Sequence, residues 1–270
     1  MLGGQGSAAG AAAAAVGRAQ PAVAGSEQTA SWGGARERIM VALDCDRERA
    51  LELADRLAGH AAWLKVGMTL FYAEGPAIVR ELKARGFKVF LDLKFHDIPH
   101  QVRGAACSAA LAGADLLTVH GLGSGPMLAA CREGAEEAAA ELGTRPRLLA
   151  ITVLTSMDAA ALASIGVSGT VEEEAARLVA LARDNGIDGV VCSPREAGAM
   201  RALLGARALV VTPGVRPAGA ALGDQSRVAT PARALLAGAS HIVVGRPITQ
   251  AEDEVAAFEA IVSELADAGF

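Results

Sequence analysis

From residue 38 onward the chain alternates two periodicities. Short runs rich in Val, Ile, Leu and Phe, bounded by turn residues, are followed by stretches with apolar residues at three- and four-residue steps. The first pattern is that of strands buried on both faces; the second is that of amphipathic helices. Strands are expected at 39–44, 63–67, 88–94, 116–120, 148–155, 189–193, 208–212 and 241–245, with helices such as 47–57, 102–111, 171–185, 231–237 and 254–268 between or after them. Gly59, Gly86, Gly113, Gly143, Gly186 and Gly238 stand where helices need a left-handed stop. Eight β–α cycles predict an α/β fold closed as a (β/α)8 TIM barrel. An open doubly wound sheet is the alternative, but its dinucleotide version wants G-x-G-x-x-G after the first strand, and none follows Asp44.

At 270 residues and 52% hydrophobic, the chain can bury one large core, so residues 36–270 are read as one barrel domain. Residues 1–35 are built from Ala, Gly, Ser and Gln and are expected to be a disordered tail. The apolar run at 11–16 is short, has no basic residue before it and is followed by Arg18, so it is not read as a secretion signal. A net charge of -5 and 3% aromatic residues argue against nucleic acid as partner, and no stretch reaches the length of a membrane span. Four cysteines without C-x-x-C spacing fit reduced thiols in a cytoplasmic protein.

Candidate chemistry gathers at predicted strand ends, where barrels of this type place their active sites. Asp44 ends strand one, Lys65 lies on strand two, Asp92 and Lys94 close strand three, and Asp97 follows in a loop stopped by Pro99. Strand alternation puts Asp92 and Lys94 on one face. A salt bridge pinning the loop would use the same residues; convergence of charge from several strands favours catalysis. After strand seven come Thr212-Pro213-Gly214-Val215-Arg216, a connection long enough to act as a lid, and Asp224-Gln225; strand eight ends at Gly245-Arg246. Glycine amides and arginine there form a candidate anion cradle. Thr155 and Ser156 can reach a ring or cap a turn. His96, His100 and His120 match no zinc-ligand spacing, so no metal is expected, and His96 is read as support for the loop.

Taken together, these segments closely resemble the orotidine 5'-phosphate decarboxylase family. The matching stretches are Val41-Ala42-Leu43-Asp44, Lys65 to Met68, Phe71 to Pro76, Phe90 to Pro99, Leu154-Thr155-Ser156, Gly189 to Ser193, Thr212 to Arg216, Asp224-Gln225 and Val243 to Pro247. The resemblance implies cofactor-free conversion of orotidine 5'-phosphate to UMP by a homodimer. It implies that Asp44 and Lys65 hold ribose hydroxyls, Asp92 lies beside the departing carboxylate, Lys94 protonates C6, and Asp97 enters the partner subunit's site. Thr155 would contact the pyrimidine, while Arg216, Gln225, Gly245 and Arg246 would bind phosphate. The family usually has threonine two residues after the proline of D-I-P; here His100-Gln101 follow, and a Gln101 amide is the expected substitute. Two rivals share the motif or the barrel: a Mg2+-dependent 3-keto-L-gulonate 6-phosphate decarboxylase or hexulose-phosphate synthase, and a catalytically silent barrel that binds a phosphorylated ligand.

Overall fold

The structure is a computed structural model and describes residues 33–217 and 229–270. The tail expected at 1–35 lies outside the described residues up to position 32, as do Asp224 and Gln225. Eight parallel strands close in sequence order: β1 (Ile39–Leu43), β2 (Trp63–Gly67), β3 (Lys88–Phe95), β4 (Leu116–His120), β5 (Arg147–Ile151), β6 (Gly189–Val191), β7 (Leu209–Thr212) and β8 (His241–Val244). β8 returns to β1 with Ile242 opposite Ile39, which completes the expected barrel. Around it run α1 (Arg47–Leu57), α2 (Met68–Glu74), α3 (Ala77–Ala84), α4 (Pro99–Leu111), α5 (Gly125–Leu142), α6 (Ala159–Ser164), α7 (Val171–Asp184), α8 (Ala197–Leu204), α9 (Pro231–Leu236), α10 (Arg246–Thr249) and α11 (Glu254–Asp267).

Strand alternation sorts the core into two shells. Ile39, Val41 and Leu43 of β1 point outward into the layer shared with the helices, while Met40 and Ala42 point into the barrel with Phe90, Leu116, Leu149, Leu209, Val211 and Val243. Both faces are therefore buried, which is why the strands read as continuous apolar runs. The inward row continues upward by steps of two: Ala42 leads to Asp44, Trp63 to Lys65, Phe90 to Asp92 and Leu116 to Thr118. The polar side chains at the mouth thus sit on the same rows that fill the barrel below.

Local signals set several boundaries. Thr170 and Glu173 form a reciprocal capping box at the start of α7, and Asp46 caps α1 by accepting from the Arg49 amide at 2.9 Å. Two expected boundaries move by three residues or more. α4 begins at Pro99 rather than 102, because the fixed φ of proline suits a first helical position and its missing N–H costs nothing there. β5 ends at Ile151 rather than 155, so Thr155 and Ser156 lie in the turn closed by the Met157 amide on the Leu154 carbonyl at 2.8 Å.

Candidate active site

A cavity of about 410 Å³ opens at the C-terminal ends of the strands. Its floor is apolar, with Ala42, Phe90, Ile151, Val191 and Val243, and charged groups rise along one wall. Asp44, Lys65, Asp92 and Lys94 form a chain of alternating charge there. Lys65 Nζ donates to Asp44 Oδ1 at 3.0 Å and stands 3.9 Å from Asp92 Oδ2, while Lys94 Nζ lies 3.0 Å from both oxygens of Asp92. The side chains of Lys65 and Asp92 are only 10% and 15% exposed. Paired charges at that depth strengthen one another, and removing a single member strands its neighbour. Gly67, closing β2, leaves room for the cluster: a Cβ there would stand 3.3 Å from both Asp44 Oδ1 and Lys65 Nζ.

Lys94 reaches the cluster by an irregular backbone. The β3–β4 register shifts between Leu91 and Phe95, and Lys94 adopts φ +52°, a left-handed conformation that costs a residue with a side chain roughly 1–2 kcal/mol. Regular alternation along β3 is therefore interrupted on the way from Asp92 to Lys94, and the two side chains meet at that irregularity. Thr118 of β4, fully buried, fits beneath both: its hydroxyl accepts from the Lys94 amide at 2.8 Å and donates to Asp92 Oδ1 at 3.0 Å. Sequence reasoning passed over it because a threonine inside a strand is ordinary.

The proposed anion side follows β7 and β8, next to β1, so that a Cβ on Gly245 would stand 3.9 Å from Asp44 Oδ2. Pro213, Gly214, Arg216, Gly245, Arg246 and Gln250 line it. Gly214 has φ +75°, a turn that glycine makes without strain, and Arg216 is buried, its amide donating to the Ala229 carbonyl at 3.0 Å so that positions 215 and 229 meet as a parallel bridge. Gln250, one turn past Arg246, carried no signal in the sequence. Thr155 lines the cavity from the β5 turn.

Asp97 and Gln101 do not line it. Both are exposed at the start of α4, next to Ile98 at 63% exposure, and Asp97 Oδ1 accepts from the Ile98 amide at 2.6 Å. His96 stacks on His120 with ring centres 5.1 Å apart, which ties the loop to β4 as expected of a supporting residue. Burial, then the His96 ring and the Lys94 ammonium, hold His120 below the ordinary imidazole range, which disfavours a further positive charge beside Lys94. Among the described residues no group of three or more His, Cys, Asp or Glu side chains is placed to hold a metal ion.

The chain is similar to known proteins in sequence and in fold. A sequence model described as the orotidine 5'-phosphate decarboxylase / HUMPS family matches residues 37–261. The orotidine 5'-phosphate decarboxylase of Halorhodospira halophila is 54% identical over 86% of this chain and 97% of that protein, and the Moorella thermoacetica protein of the same name is 51% identical over 86% and 93%. The crystal structure of orotidine 5'-phosphate decarboxylase from Lactobacillus acidophilus superposes with a TM-score of 0.76 at 38% identity, covering 84% of this chain and 98% of that one. From β1 to α11, by sequence and by fold, the chain belongs to the orotidine 5'-phosphate decarboxylase / HUMPS family.

Proposed function

We propose that this chain is the enzyme that removes CO2 from orotidine 5'-phosphate to give UMP in pyrimidine biosynthesis, and that it does so without metal or organic cofactor. The observation that carries the reading is the Lys94 ammonium held by both oxygens of Asp92 in a cavity that Arg216 and Arg246 also line. Breaking the bond between C6 and the carboxylate leaves an electron pair in the plane of the ring, where the π system cannot take it up. A fixed ammonium is the group suited to that charge. Lys94 stabilises the developing carbanion and then gives C6 a proton, recovering its own from solvent. Asp92 keeps the ammonium aimed through both its oxygens, and faces the departing carboxylate with like charge.

The other assignments follow from position. Asp44 and Lys65 flank this pair and are assigned to ribose hydroxyls, Thr155 to the pyrimidine, and Arg216, Gly245 and Arg246 to the phosphate, with Gln225 joining them from outside the described residues. Phosphate contacts far from C6 hold the ring in place, so binding energy realised remotely lowers the barrier. The exposure of Asp97 and Gln101 outside the cavity supports a homodimer in which each enters the partner's site, Gln101 replacing the usual threonine there. Residues 36–270 are proposed to suffice for activity. No helix among the described residues is long and apolar enough to cross a membrane, and the four cysteines are free thiols; both fit the proposed cytoplasmic setting.

The test is loss of orotidylate absorbance on adding purified protein in EDTA. Full activity is expected. Activity lost in EDTA and regained with Mg2+ would favour the enediolate chemistry of the hexulose-phosphate branch, and no turnover under either condition would leave a ligand-binding barrel.

A further inference from the structure

We propose that Thr118 is a positioning residue for decarboxylation, setting the geometry of Asp92 and Lys94 through one hydroxyl; the inference rests on the functional reading above. The direction of each bond is forced. The Lys94 amide can only donate, so the Thr118 oxygen accepts from it at 2.8 Å. The ionised Asp92 carboxylate can only accept, so the single hydroxyl proton goes to Asp92 Oδ1 at 3.0 Å. One group of β4 therefore fixes the backbone of the proposed proton donor and the side chain of its proposed carboxylate partner at the same time.

The need for such a group is visible in the backbone. Where the β3–β4 register shifts between Leu91 and Phe95, Lys94 leaves the regular ladder at φ +52°, and it is the Thr118 side chain that takes up its N–H. A left-handed lysine persists when its surroundings over-determine it. Thr118, fully buried on the rigid wall of a closed barrel, is well placed to do that. It does not line the cavity, so it acts on substrate through Asp92 and Lys94 and not by contact.

The experiment compares Thr118→Val, which keeps shape and removes the hydroxyl, with Thr118→Ser, which keeps the hydroxyl. Steady-state constants for orotidylate, UMP affinity and the thermal midpoint are measured on the full chain beside native protein and Lys94→Ala. Thr118→Val should lower kcat about tenfold or more, with KM and UMP affinity held within about threefold, since misplacing a reacting group costs rate more than ground-state binding. Thr118→Ser should return kcat to within about threefold of native. Should Thr118→Val fail to accumulate as folded protein, Thr118→Cys, close in size and a feeble hydrogen-bonder, is held to the same criterion. The proposal is overturned if the hydroxyl-free variant keeps its kcat, if UMP affinity falls in step with kcat, or if serine rescues nothing. If native protein turns over, Lys94→Ala is dead and Thr118→Val matches native, the role of Thr118 falls alone. Native protein that leaves orotidylate untouched sinks the functional reading instead.

Discussion

Lys94 meets two unlike demands: its backbone sits where glycine is at ease, and its side chain must end in a charge. Arg246, in the same cavity, has a simpler proposed task, and the consequence of removing it separates the two functions assigned to the site. Arg246→Ala should weaken transition-state binding of orotidylate by about 2–3 kcal/mol for a lost charged contact, read from kcat/KM, while phosphate-free orotidine hardly changes. Equal losses for both substrates would mean that the arginine serves the fold. Asp44, Lys65, Asp92 and Lys94 were legible in the sequence because charge at the end of an apolar strand must be paired or used. Thr118 and Gln250 were not, since their types are common in strands and on helices and only proximity gives them meaning. The register shift between Leu91 and Phe95 was also hidden, because D-x-K reads equally well as a regular strand.

Helices α4 and α5 pack tightly, and the contact turns on a residue without a side chain. A Cβ on Gly134 would lie 2.1 Å from the Arg103 carbonyl oxygen, which is backbone and cannot swing away. Gly134→Ala should therefore destabilise the protein by about 1–3 kcal/mol despite the better helix propensity of alanine, seen as a lower denaturant midpoint with kcat unchanged at low temperature. A midpoint at or above native would show that the helices are not so close. Strand positions followed directly from apolar runs, whereas ends shifted where local chemistry outweighed the pattern. Pro99 pulled the start of α4 forward, and the turn at Leu154–Met157 cut β5 short. Periodicity averages over several residues, so it locates a segment better than its last residue.

For the whole molecule, eight alternating cycles in the sequence made the barrel legible, because parallel strands joined by helices have few other ways to bury every edge. What one chain's sequence displays poorly is a residue that works in another copy. If Asp97 serves the partner's site, Lys94→Ala and Asp97→Ala homodimers should each be nearly inactive. Exchanging subunits between them should restore roughly a quarter of all sites, since a mixed dimer has one site with both groups intact. Verified mixed dimers no more active than their parents would assign Asp97 to its own chain. The seam between β1 and β8 has a further consequence, for synthesis on the ribosome. Ile39 opens the first of the eight strands to be made, yet its neighbour Ile242 lies in the last. Until β8 emerges, β1 and β7 both present open edges, and the cavity lacks Gly245 and Arg246. A chain released early is thus left both prone to aggregate and with its proposed anion side incomplete, which leaves ligand a poor means of rescue: the mouth that would bind and the seam that would hold are finished by the same few residues.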